Sequence, residues 1–341
     1  MTSATVPPLS AVSAPATKLG SVAVSELARS AESGLTDDQR AEIQALRERS
    51  AATRRAGSPG IEELLYLPLP VLDHGFVRVV DYMGDDGAIV QAARVSYGAG
   101  TKRKRDDAGL IKYLMRHRHT TPFEMCELKL HLKMPIFVAR QHCRHRAASL
   151  NEISGRYSIL DREFYIPRPE DLAKQTTVNR QGRGEVLEHE QALRVLELLK
   201  EDAARAYEHY EQLLDESRPE NGEPGGFGLA RELARMDLPV NLYTQMYWKI
   251  DLHNLFHYLS LRADAHAQYE IRVYADAMLR VVKAWVPLAY DAFMDYRMGA
   301  AELSAKGLAV VQRLIRGEKV EQADSGMSPG EWRELMETLE L

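Results

Sequence analysis

The chain has 341 residues and a formal net charge of -5. That is long enough for one large domain or two small ones, and the charge does not mark a general nucleic-acid binder. No apolar run reaches the ~18 residues that a membrane span needs. Residues 1–35 are rich in Ala, Ser, Thr and Pro and lack the apolar centre of a secretory leader, and the two cysteines, Cys126 and Cys143, suit a reducing cytoplasm better than a disulfide scaffold.

Residues 1–35 read as a disordered tail. Thr36, followed by Asp37 and Asp38, predicts a capped polar helix up to about residue 55. The core is expected to begin near Val77, with a strand over 76–80, then a turn and short helix over 85–95. The charged stretch 101–107 reads as an exposed loop. Leu110, Ile111 and Leu114 give residues 107–118 a helical apolar face, which the segment His119 to Glu124, with its Pro122, interrupts. Leu128, Leu130, Leu132 and Met134 alternate with Lys129, His131 and Lys133, the period of a half-buried strand. Pro135 suits the first turn of a helix, expected to run on through the Arg-rich segment that begins at Arg144 and to carry Gln141, Arg144 and His145 on one face.

Residues 168–187 are polar and read as a loop, followed by a long helix over 188–217 and a Gly- and Pro-rich connection over 219–228. A second alternating strand covers 242–250. Asp251 reads as the cap of a helix that buries Leu252, Leu255, Phe256 and Leu259 and carries His253 and His257 on another face. Arg262 to Asp264 reads as a break, with Asp264 capping a further helix through Trp285. From Ser304 onward the chain is amphipathic and carries no chemical motif.

The densest chemistry lies in Arg144-His145-Arg146-Ala-Ala-Ser149-Leu-Asn151-Glu152-Ile-Ser154-Gly155-Arg156-Tyr157. Three guanidinium forks beside hydroxyls and a glycine suit a phosphate or carboxylate ligand. A solvated charge run is the plain alternative, but Ile136, Phe137 and Val138 before it and tyrosines after it argue against a free basic tail. His253 and His257 stand four apart without the glutamate of a zinc-protease helix, so no metal site is expected. No Gly-x-Gly-x-x-Gly occurs, which leaves a Rossmann nicotinamide site unsupported. Cys126 and Cys143 read as small apolar fillers. Ser154 has no evident base and reads as a positioning hydroxyl.

Arg-His-Arg, seven further residues and Ser154, with Gln141 before them and Ser149, Asn151, Glu152, Gly155, Arg156 and Tyr157 around them, resembles the signature of the flavin-dependent thymidylate synthases. The resemblance runs from about Val77 to about Ala300. It implies an α+β fold, a twisted and largely antiparallel sheet flanked by helices. It implies FAD as cofactor, dUMP as substrate, methylenetetrahydrofolate and NADPH as co-substrates, and a homotetramer with shared active sites. Neither nucleic acid nor membrane is an expected partner, and the expected location is cytoplasmic. The implied organisation is an extension over 1–60, disordered or partly helical, a synthase domain over 61–300 and a helical extension over 301–341.

Carried onto this chain, the resemblance makes His119, Thr121, Glu124, Arg144, His145, Arg146, Glu152, Asp251, His253 and His257 flavin-binding residues. The family's better-known form has Asn, Arg and Asn where this chain has Asp251, His253 and His257. Gln141, Arg144, Glu152, Ser154, Gly155, Arg156, Arg235 and Arg262 are implied to hold the nucleotide. Arg262, in Leu-Arg-Ala-Asp-Ala-His-Ala-Gln, is implied to act in catalysis by stabilising negative charge on the uracil ring. Two rivals remain at this point: a flavoprotein acting on another pyrimidine nucleotide, and a nucleotide- or RNA-binding regulator that uses the arginines without catalysis. A chain beginning near Leu64 is expected to fold and turn over.

Overall fold

The two alternating segments become the centre of the sheet. In a computed structural model of the chain, which describes residues 24–48, 55–95, 106–176, 182–214 and 226–341, strands β1 (Pro68–Val71), β2 (Gly75–Met83), β3 (Glu127–Pro135), β4 (Ser149–Glu152) and β7 (Tyr243–Asp251) form one sheet in the order β1-β2-β3-β7-β4. Every neighbouring pair in it is antiparallel. The largely antiparallel α+β expectation therefore holds. Leu128, Leu130, Leu132 and Met134 lie opposite Ile250, Trp248, Met246 and Thr244, and this face is buried. Its other face sets His131 opposite Tyr247 and Lys129 opposite Lys249.

Helices cover the buried face. α10 (Leu252–Arg262) follows β7 directly, and Asp251 caps it by accepting from the Asn254 amide. Leu252, Leu255, Phe256 and Leu259 are buried as expected. α11 (Tyr269–Trp285) buries Tyr274, Met278, Val281 and Trp285. Its start differs from expectation: Gln268 is the cap, and Asp264 instead accepts from the His266 amide in a tight turn. The helices before β7 are α1 (Val24–Ser33), α2 (Asp37–Arg47), α3 (Pro59–Glu62), α4 (Asp86–Val95), α5 (Asp107–Arg116), α6 (Thr121–Glu124), α7 (Ile136–His142), α8 (His189–Leu213) and α9 (Arg231–Ala234). Thr36 and Gln39 form a reciprocal capping box on α2.

Several expectations need correction. Residues 24–33 are helical, so the tail reading fails there, and residues 1–23 lie outside the described residues. The core begins before Val77: Ile61, Leu64, Leu67 and Leu69 are buried, and the Ser58 hydroxyl donates to the Trp285 carbonyl at 2.7 Å. The helix after Pro135 stops at His142 instead of running through the signature. Residues 173–175 and 183–186 pair as the hairpin β5 (Ala173–Gln175) and β6 (Arg183–Val186) rather than forming a plain loop. The expected loop at 101–105, the end of the long helix at 215–217 and most of the connection at 219–225 fall outside the described residues.

The chain divides into two compact units, up to Asp291 and from Ala292. Within the second, α12 having spanned Pro287–Phe293, a π-helical turn (Met294–Met298) is followed by α13 (Ala305–Ile315), α14 (Gln322–Ser325) and α15 (Pro329–Thr338). Val310, Met327 and Leu335 form its small core.

Candidate active site

Three segments bring the signature together. α7 packs its Val138 and Ala139 into the core and ends on Cys143. Two tight turns follow, in which the Arg144 amide donates to the Gln141 carbonyl at 3.2 Å and the His145 amide to the His142 carbonyl at 3.2 Å. The chain then enters β4, which pairs with β7 at the sheet edge, Leu150 opposite Trp248 and Glu152 opposite Met246. The helical spacing expected for Gln141, Arg144 and His145 is thus absent, yet the turns keep all three close.

His145 is the pivot of the cluster. Its ring lies 5.7 Å from that of His257, 5.6 Å from Tyr258 and 6.3 Å from Trp248. Burial lowers its basicity first, the neighbouring His257 and Arg262 lower it further, and Asp251 acts in the opposite direction. Its Nε2 is buried and has no hydrogen-bond partner. Beneath it His142 is fully enclosed; its Nδ1 meets the Tyr258 hydroxyl at 2.9 Å, and burial pushes its pKa down to about 3. Arg262, the last residue of α10, donates from Nη2 to the Gln141 carbonyl at 3.3 Å. Gln141, His145, His257 and Arg262 therefore form one group.

Glu152 faces the covered side of β4 and accepts from the Thr244 hydroxyl at 2.6 Å. Two residues on, Ser154 Oγ accepts from the Arg156 amide at 3.3 Å. Arg156 pairs with Glu232 at 3.5 Å and lies over the Tyr157 ring. Gly155 is buried, and a Cβ there would stand 3.2 Å from Arg235 Cδ, so the glycine lets Arg235 pass close to the backbone. This makes a second group, Ser154, Gly155, Arg156 and Arg235.

The third group is α6 and the turn before it. Phe123 packs on Phe256 of α10 at 6.2 Å between ring centroids, which seats the segment against the helix of His253 and His257. His119 stacks on Tyr113 at 5.9 Å. His119 and Thr121 line a groove of about 1040 Å³ with Ala92, Leu110, Tyr113 and Pro122, whereas Glu124, Arg144, His145 and Arg146 do not line it. Asp251 is engaged at both carboxylate oxygens by Asn254, as the cap of α10. His253 is partly buried on the same helix. Cys126 is buried and its thiol is pushed up to about 12 by burial, whereas Cys143 is exposed, so the filler reading fails for Cys143.

The side chains of Arg144 and Arg146 are exposed and make no hydrogen bond or ion pair among the described residues. Two uncommitted guanidinium groups beside a buried, unpartnered imidazole nitrogen are donors in want of an acceptor, which fits a flavin dinucleotide or a nucleotide phosphate. No group of three or more His, Cys, Asp or Glu among the described residues is arranged to hold a metal ion.

Sequence reasoning missed Thr244, His142, Tyr258, Gln268 and Glu270. Glu270 is 2 % exposed at the start of an apolar helix. A carboxylate among core positions was the available signal, because such a group is kept only when paired.

Fold and site together define an α+β protein that offers unpaired cationic donors at a sheet edge. A family model described as thymidylate synthase complementing protein matches residues 78–288. The chain is 63% identical over 305 residues to the flavin-dependent thymidylate synthase of Ruegeria pomeroyi, covering 89% of this chain and 99% of that one. It is 59% identical over 306 residues to the protein of that description from Gluconobacter oxydans, covering 90% and 98%. Among solved structures, a UMP/dUMP methylase, PolB from Streptomyces cacaoi bound with 5-Br UMP, aligns with a TM-score of 0.58 at 32% identity, covering 67% of this chain and 96% of that one. The chain belongs to the flavin-dependent thymidylate synthase family.

Proposed function

We propose that the protein methylates dUMP to dTMP, with FAD as the bound flavin and methylenetetrahydrofolate and NADPH as co-substrates. The observation that carries this reading is the pair Arg144 and Arg146, uncommitted beside the Nε2 of His145, within the family signature. Arg144, His145, Arg146 and Glu152, together with Thr121, His119 and Glu124, hold the flavin; Asp251, His253 and His257 border it from α10. Bound flavin supplies the hydride that completes the methyl group. Gln141, Arg144, Glu152, Ser154, Gly155, Arg156 and Arg235 hold the nucleotide. The homotetramer with shared sites and a cytoplasmic location belong to the same reading, which the two free thiols suit.

Arg262 does the activating work. Carbon 5 of uracil becomes nucleophilic as negative charge builds in the ring, and a fixed guanidinium beside the ring stabilises that charge. Its anchoring to the Gln141 carbonyl leaves further donors for the nucleotide. Lysine keeps the charge but loses the flat fork. An anaerobic assay of dTMP formation from dUMP tests the whole reading. Wild type is expected to form dTMP with NADPH and methylenetetrahydrofolate and none without either. Arg262→Lys should form it on the order of a hundredfold more slowly, as for a lost transition-state donor. Reduction of the flavin by NADPH should change far less, because it needs no charged uracil. Equal losses in both half-reactions would reduce Arg262 to a support of the fold.

A further inference from the structure

Behind Gln141 runs a line of hydrogen bonds that no role above uses. Gln141 Nε2 donates to Gln268 Oε1. Gln268 Nε2 donates to Glu270 Oε2 at 2.9 Å. The other oxygen of Glu270 accepts from the Tyr165 hydroxyl at 3.0 Å and from Arg183 of the β5-β6 hairpin. Glu270 is almost wholly buried, while Gln268 is exposed and Gln141 half-buried.

Chemistry fixes the direction of this line. An ionised carboxylate only accepts. Both its oxygens accept here, Oε1 from Tyr165 and Arg183, so the Glu270 carboxylate can take only the amino end of the Gln268 amide. Gln268 must then turn its carbonyl oxygen to Gln141, and Gln141 must answer with its own amino group. The end of Gln141 left for the nucleotide is its carbonyl oxygen, an acceptor. We infer that Glu270 is a positioning residue for the nucleotide site: acting through Gln268, it sets which end of the Gln141 amide faces the nucleotide. The partner it selects is a hydrogen-bond donor, a ring N–H or a sugar hydroxyl, next to the carbonyl-seeking donors of Arg262. This inference rests on the reading that the site takes dUMP.

Reversing the line tests it. In Glu270→Gln the new amide can still accept from Tyr165 and Arg183, but it presents an amino group to Gln268. Gln268 then turns round, and so does Gln141. The affinity for dUMP, measured by calorimetry on the FAD-loaded protein, should fall about tenfold, the worth of one hydrogen bond made wrong. The double variant Gln268→Glu with Glu270→Gln puts the pure acceptor one step nearer to Gln141. The carboxylate, moved to position 268, would take the amino group of Gln141 on one side and that of the amide introduced at position 270 on the other. That restores the orientation of Gln141, and affinity should return to within about twofold of wild type. A purely structural role for Glu270 predicts no such rescue. Wild-type affinity in Glu270→Gln, or a double variant as weak as the single one, overturns the proposal. If Glu270→Gln does not fold, Gln268→Met breaks the line at an exposed position; about tenfold weaker binding supports the proposal and unchanged binding overturns it. A wild-type protein that neither binds dUMP nor forms dTMP would refute the activity itself, an outcome separate from failure of the relay.

Discussion

Arg144 and Arg146 make no ion pair among the described residues. Arg162, Arg168, Arg194 and Arg205 each pair with carboxylates at the surface. A cation kept free in an acidic chain suits a ligand that brings its own negative charge. Arg146→Ala is therefore expected to weaken FAD binding by ~1.5–3 kcal/mol, the range for a charge-assisted bond. Titration of the apoprotein followed by flavin fluorescence measures this, and wild-type affinity would remove Arg146 from the flavin site. At this scale the sequence was informative about where ligand-seeking groups gather, since Arg144, Ser154 and Gly155 fall within one short segment. It was silent where side chains serve one another. Glu152 meets Thr244 across 92 positions and Gln141 meets Gln268 across 127, and nothing local announces either partner.

Elements set by local periodicity were legible, and those set by distant pairing were not. β3, β7, α10 and α11 follow from the spacing of their apolar residues. β4 does not: all four of its residues are exposed, and only the edge of β7 makes it a strand. The hairpin β5-β6 is polar for the same reason. α7 ends early because the chain must turn to reach that edge, and its last residue is His142. This enclosed imidazole stays neutral in the folded protein, with its pKa near 3 against an ordinary value of 6.5. His131, between Arg78 and Gln245 on the other sheet face, is likewise lowered, to about 4, by burial and then by Arg78. Unfolding lets both take up protons near pH 6.5, so the unfolded state binds more protons below that pH and stability falls as the pH drops from 6.5 towards 4. His142 alone should cost about 2 kcal/mol at pH 5 relative to pH 8. Denaturant titrations at the two pH values measure the loss, and His131→Gln should show a smaller one than wild type. Equal stability at both pH values would mean that these histidines are charged in the folded state.

For the whole molecule, the segment before the first strand belongs to the core. Arg55 pairs with Asp81 at 3.2 Å, Ser58 reaches Trp285, and a side chain on Gly60 would collide with the Ala284 carbonyl. A chain beginning at Arg55 should fold and turn over, losing α1 and α2 with their buried Ala31 and Ile43, and surface bonds such as Arg47 to the Glu63 carbonyl. One beginning at Leu64 loses Ile61 and the Ser58 anchor. Removing one buried large aliphatic costs ~2–5 kcal/mol, which lowers the melting temperature by roughly 5–15 °C for a unit of this size. Thermal melts of the two chains decide the matter; identical melting temperatures would show that residues 55–63 merely rest on the surface. The sequence concealed this contribution because Ile61, Leu64 and Leu67 sit in short irregular segments, where burial leaves no period to read.

The turns between α7 and β4 act as a ruler. Six residues, 143–148, separate the end of the helix from the first strand residue, and side chains on a strand alternate from face to face. Deleting one of them would pull β4 along β7 by a single position, turning Glu152 away from Thr244 and presenting Ile153 in its place. The count of residues in this segment is therefore as much a part of the site as their identity. Ala147 and Ala148, which carry no functional group, are needed as length.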